Sequence, residues 1–136
     1  MKDRYIFPAI ISFSEDEGIY DIRFPDISNG FTFAESEDEI MESAKEVLEL
    51  CLYDLEENGN EIPSPTSFSS LLNKGLSVVL VEVWMPLVRD KFQNKSVKKT
   101  LTIPKWLNDA AQEYNINFSQ LLQTAIKNYI GIDTKR

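Results

Sequence analysis

The sequence predicts an α+β protein in two parts, a β-β-β-α-β domain followed by a short strand–helix–helix unit. Three observations carry that expectation. Ile19–Phe24 alternates, with Tyr20, Ile22 and Phe24 on one face and Asp21 and Arg23 on the other, as a half-buried strand does. Ile40, Ala44, Val47, Leu48, Cys51, Leu52 and Leu55 recur at helical spacing, opposite Glu42, Glu46, Glu49 and Glu56. The charge also divides. Residues 1–90 hold 19 acids and 6 bases, a net −13, whereas residues 91–136 hold 3 acids and 8 bases, a net +5.

Each element follows from its local chemistry. Tyr5–Phe13 is an aromatic and β-branched run that reads as a strand, and Pro8 argues for an edge or a bulge. Ser14–Gly18 is turn chemistry, so this run and Ile19–Phe24 form a hairpin. After Pro25-Asp26 and Ser28-Asn29-Gly30, Phe31–Ala34 gives a short third strand. Ser36 and Glu39 have capping-box spacing at the head of the long helix, and Asn58-Gly59 stops it. Glu61–Ser70, with Pro63 and Pro65, reads as a connection, with a short turn near Leu71 and Leu72. Val78–Trp84 is nearly continuous apolar sequence and reads as a central strand closed by Pro86. The first domain is thus expected over 1–86, and a polar linker with room for a helical turn over 87–96.

The second unit, 97–132, opens on a strand in which Lys98, Thr100 and Thr102 alternate with Lys99, Leu101 and Ile103. Pro104 begins a helix with an apolar stripe of Leu107, Ala110, Ala111 and Tyr114. Asn117 can cap the next helix, with Gln120 at its third position. Phe118, Leu121, Leu122, Ala125, Ile126 and Tyr129 form that helix's stripe, and Gly131 ends it.

Composition narrows the chemistry. The chain has 136 residues, 43% of them apolar and 26% charged, and a net charge of −8. It contains no histidine, the commonest general base and metal ligand. The single cysteine, Cys51, excludes an internal disulfide and a multi-cysteine zinc site, and reads as a small core residue. Trp84 and Trp106 read as packing residues. No apolar run could span a bilayer, and no basic leader with a cleavage site opens the chain, so a cytoplasmic, reducing setting is expected. No cofactor or metal is expected.

A strand–helix–helix unit of this size cannot bury both stripes by itself, because its surface is too large for its volume. The lone strand leaves backbone groups unpaired on both edges. Pairing with the same strand of a second copy resolves both problems. Leu101, Ile103, Leu107, Leu121, Leu122 and Ile126 would then close the dimer. The ribbon's other face presents Lys98, Thr100 and Thr102 twice, and a two-stranded ribbon fits the DNA major groove. Asn117, Phe118 and Ser119 open a helix whose free N–H groups suit a phosphate.

The segment Val97-Lys98-Lys99-Thr100-Leu101-Thr102-Ile103-Pro104-Lys105-Trp106-Leu107, followed by Asn117-Phe118-Ser119-Gln120-Leu121-Leu122, resembles a ribbon-helix-helix repressor domain. The first part resembles the HicB antitoxin family through Phe7-Pro8-Ala9-Ile10, Phe24-Pro25-Asp26, Tyr53-Asp54-Leu55-Glu56-Glu57 and Ile62-Pro63-Ser64-Pro65. That resemblance implies a truncated ribonuclease H fold for the N-terminal domain, a small basic RNA-cleaving HicA toxin as partner, and binding to the promoter of the operon. Lys98, Thr100 and Thr102 match the family's base-facing positions, Asn117, Phe118 and Ser119 its phosphate contact, and Lys95 and Lys99 add backbone charge. For the toxin, the candidates are Asp21, Asp26, Glu42, Glu46 and Glu49, chosen by charge against an ordinary solvated helix face.

Catalysis is not expected. Ribonuclease H chemistry needs a carboxylate cluster holding two metal ions, and no acid lies between Asp3 and Glu15 in the opening strand. The expected partners are a HicA-type toxin, operator DNA and a second copy of the chain, with a higher assembly through the N-terminal domain left open; no membrane partner is expected. The alternative is a stand-alone dimeric repressor with a ligand-sensing N-terminal domain.

Overall fold

The computed structural model describes residues 2–132. Its elements are β1 (Arg4–Ser14), β2 (Ile19–Arg23), β3 (Phe31–Ala34), a 3-10 turn (Glu37–Glu39), α1 (Ile40–Glu57), α2 (Phe68–Asn73), β4 (Ser77–Trp84), α3 (Met85–Gln93), α4 (Lys105–Glu113) and α5 (Phe118–Ile130). Two compact units separate between Ser96 and Val97. Among the described residues, no helix is long and apolar enough to cross a membrane.

In the first unit the strands make one antiparallel sheet in the order β3-β2-β1-β4. β1 serves two neighbours in turn. Arg4–Ile11 pair with β4, and Ile10–Ser14 pair with β2. Pro8 lies where β4 is the only neighbour, opposite Leu80, so its missing N–H is tolerated although β1 is an inner strand. The expectation of an edge position therefore holds only locally. The apolar run 78–84 suggests a central strand, yet β4 is an edge. Val81 and Val83 enter the core, whereas Leu80 and Trp84 on the other face stay half exposed. Trp106 is likewise exposed, so neither tryptophan is a packing residue within this chain.

One face of the sheet carries α1. Ala44, Leu48 and Leu52, each four residues apart, meet Phe7, Ala9, Ile22, Phe24, Val81 and Val83 in one buried cluster. Burying each leucine is worth about 2 kcal/mol in apolar area removed from water. The capping box expected at Ser36 does not form. A 3-10 turn precedes α1, the Ser36 hydroxyl caps nothing, and the Glu39 carboxylate accepts from the Glu35 N–H at 3.3 Å. Between β2 and β3, Gly30 is required by close approach: a Cβ there would lie 2.8 Å from the Ile27 Cβ.

The linker expected over 87–96 is instead mostly helix. Pro86 ends β4 and sits in the first turn of α3, where its fixed φ and missing N–H suit a helix start. Met85 and Val88 are buried in the core cluster, so α3 belongs to the first unit. The Met85 N–H donates to the Asp3 carbonyl at 2.7 Å, and Phe92 stacks on Tyr53 of α1 at 5.0 Å between ring centroids. The turn expected near Leu71 and Leu72 is α2, capped by the Ser67 hydroxyl.

In the second unit the expected strand over 97–103 is absent. Residues 95–104 have neither helix nor ladder: a strand requires a neighbour, and the described residues of the second unit form only the helices α4 and α5. The helices match expectation more closely. Pro104 precedes α4, the Asn117 Oδ1 accepts from the Gln120 N–H at 3.0 Å, and Gly131 ends α5 in the left-handed region at φ 83°.

Candidate nucleic-acid and partner interfaces

The second unit has almost no interior. Ala111 alone is buried among residues 97–132. Leu101, Ile103, Leu107, Leu121 and Ile126, all named for a dimer face, are 41–61% exposed, and Leu122 is half-buried. An apolar stripe left open along two helices and the segment before them is the kind of patch that marks an interaction surface. Lys95, Lys98, Lys99, Thr100 and Thr102 are exposed in the segment without regular structure. Asn117 caps α5, and the Ser119 hydroxyl accepts from the Gln123 side chain at 3.1 Å. Phe118, the first residue of α5, is 44% exposed.

The five acids named for a basic partner are not brought together. Asp21 lies on the sheet face away from α1, since it alternates with buried Ile22. Glu42 and Glu46 lie on the exposed side of α1. Glu49 is largely covered and joined to Lys91 of α3 at 3.1 Å. Asp26 has a structural task. One carboxylate oxygen accepts the Thr66 N–H at 2.9 Å and the other accepts the Thr66 hydroxyl, fastening the connection 61–67 to the β2–β3 turn. Asp26→Ala should lower stability by about 2 kcal/mol, the worth of hydrogen bonds to a charged group, measured by urea unfolding.

Asp26 also borders a cleft of about 610 Å³ between that turn, α1 and the segment around Pro63. Asp54 and Glu61 line it with Leu50 and Cys51. Burial, and then the Asp54 carboxylate, push the Cys51 thiol above its usual pKa, which suppresses the reactive thiolate. Its Sγ lies 3.6 Å from the Asn29 carbonyl. Among the described residues, no three His, Cys, Asp or Glu side chains are grouped to hold a metal ion.

Two features of the first unit escape a reading of the sequence. Arg89 of α3 forks onto Glu56 with both bonds at 2.9 Å, and also donates to Asp3 at 3.1 Å and to the Lys2 carbonyl at 2.7 Å. The Glu56 bonds push the arginine pKa above its usual range, against the opposing effect of burial. Phe31 and Phe33 of edge strand β3 are exposed. A proline in the first turn could have announced α3, and the alternation Phe31-Thr32-Phe33-Ala34 could have announced two faces but not which one is wet.

A four-stranded antiparallel sheet with one long helix on one face, followed by a small unit of helices with exposed apolar stripes, defines an α+β protein built in two modules. Residues 6–83, more than half of the chain, match the family described as HicB_like antitoxin of bacterial toxin-antitoxin system. The chain belongs to this family of HicB-like antitoxins. Among solved structures it is similar to a chain of a toxin–antitoxin complex from Streptococcus pneumoniae, with 26% identity and a TM-score of 0.56 over 93% of this chain and 99% of that one. The crystal structure of the Burkholderia pseudomallei antitoxin HicB shares the fold at 19% identity and a TM-score of 0.53, over 90% of this chain and 96% of that one. No curated protein matches.

Proposed function

We propose that this chain neutralises a HicA-type, RNA-cleaving toxin through its first unit, and represses its own operon as a ribbon-helix-helix dimer through its second. The family match over 6–83 carries the first half of the reading. Its likeness to a chain from a toxin–antitoxin complex supports the same partner class. The net charge of −13 in residues 1–90 suits a basic partner and speeds encounter with it. The chain acts by binding, without catalysis, a reading supported by β1, which carries no carboxylate from Arg4 to Ser14. The strand order and the single long helix on one face support a truncated ribonuclease H fold for this unit.

The open apolar faces of α4 and α5 support the second half. Two copies would pair their 97–103 segments as an antiparallel ribbon and share a core. Lys98, Thr100 and Thr102 would then read the major groove, while Lys95, Lys99 and the start of α5 would hold phosphates. Lys98→Ala should weaken operator binding. It should also reduce the slope of log affinity against log salt by about one unit for each phosphate the protein no longer neutralises, measured by titration at several salt concentrations. An unchanged affinity and slope would remove Lys98 from the interface.

Co-expression tests the whole reading. An adjacent reading frame should encode a short basic HicA-type protein that arrests growth alone, and this chain should restore it. The cleft beside Cys51 is the feature a ligand-sensing repressor would use. Failure to restore growth, with operator binding intact, would favour that alternative.

A further inference from the structure

β3 ends the sheet, and its open edge lacks two devices that commonly blunt one. Phe31–Ala34 carries neither lysine nor proline. Phe31 and Phe33 are 66% and 54% exposed, on the sheet face away from α1, since they alternate with core residue Ala34. The phase of the ladder opens the backbone as well. The Phe24 N–H donates to the Gly30 carbonyl at 2.7 Å, so Thr32 and Ala34 turn their backbone groups toward β2 and Phe31 and Phe33 turn theirs outward. The Phe31 N–H is closed off by the Asn29 carbonyl at 3.1 Å, and the Glu35 N–H by the Glu39 carboxylate at 3.3 Å. Within Phe31–Ala34, the outward groups that meet no partner among the described residues are the Phe31 carbonyl and both backbone groups of Phe33.

Charge selects the occupant. Glu35, Glu37, Asp38 and Glu39 follow β3 directly and are exposed. The acidic β1–β2 turn, 15–18, lies at the same end, because Ala34 pairs with Tyr20 near the start of β2. We infer that the β3 edge is a docking strand for an extended segment of a basic protein. Backbone bonds at Phe33 set the register, the two phenylalanines bury against the partner, and the acidic end of the sheet meets its cations. The inference rests on the antitoxin reading, in which the toxin is the basic partner. A second copy of this chain would bring its own acidic first unit, net −13 over residues 1–90, and its basic segment around Lys95, Lys98 and Lys99 is the one proposed to contact DNA.

The test uses the full chain and the HicA-type protein expected from the adjacent reading frame, with binding measured by calorimetry. No binding to wild type overturns both this inference and the antitoxin reading. Where wild type binds, Phe31→Ser/Phe33→Ser should weaken binding at least about 30-fold, as loss of aromatic anchors does, with the thermal midpoint preserved. In the wild-type complex the Phe33 amide should become protected from hydrogen exchange, and this measurement decides alone if the double variant misfolds. Asp38→Lys should slow association, with its largest effect at low salt. Retained affinity in the folded double variant, or an unprotected Phe33 amide, overturns the docking strand and leaves the antitoxin reading intact. So does a double variant that loses self-association but keeps its toxin affinity, since a second copy then occupies the edge.

Discussion

Arg89→Ala is expected to lower the stability of the protein by about 3 kcal/mol, because it strands a covered carboxylate. The Glu56 side chain is only 7% exposed and the Arg89 side chain 19%, so water replaces little of what the guanidinium supplies. The same side chain also ties α3 to Asp3 and to the Lys2 carbonyl, so one substitution loosens the N-terminal segment, α1 and α3 together. Arg89→Lys should recover little, since an ammonium cannot fork across both carboxylate oxygens. Pairing Arg89→Ala with Glu56→Gln should recover part of the loss by removing the stranded charge. Urea unfolding of the single and double variants measures the coupling. Because the arginine pKa is raised, its contribution is fully present across neutral pH and is lost only when strong alkali deprotonates it. An Arg89→Ala chain as stable as wild type would show that the fork contributes nothing net.

Leu101→Asp is expected to abolish the proposed dimer and to weaken operator binding by about 1,000-fold or more, toward the non-specific range. In a single chain the substitution should cost almost nothing, because Leu101 is 61% exposed. In a ribbon it would put two like charges across the two-fold axis in an apolar interior. Sedimentation should therefore show a dimer for wild type and a monomer for the variant. A dimer that persists with full operator affinity would exclude the ribbon as the pairing element.

Local chemistry makes much of the fold legible. The alternation in β2, the stripe of α1 and the Asn117 cap are properties of a few neighbouring residues, and the structure retains each. What fails depends on distant neighbours. An apolar run such as Val78–Trp84 reads the same whether its second edge is paired or open. Pro86 closes a strand and starts a helix at once; in sequence it stands out only in the first role, whereas Pro104 stands out in the second. For the interfaces, charge indicates the chemistry of the partner but not its location. Asp26 and Glu49 are acids engaged within the fold, and Asp21 and the α1 glutamates lie on opposite sides of the sheet. The phenylalanines of β3 are invisible as a surface, because a hydrophobic residue in a short strand is normally assigned inward.

The two tryptophans fall one in each unit, Trp84 at the end of β4 and Trp106 in the first turn of α4. Single Trp→Phe replacements therefore give each unit a private fluorophore. In dilution series the Trp84 emission should hold steady, while the Trp106 emission shifts once the concentration falls below that needed for the proposed dimer. Folding of the second unit could then be titrated independently of the first, in an intact and unlabelled polypeptide.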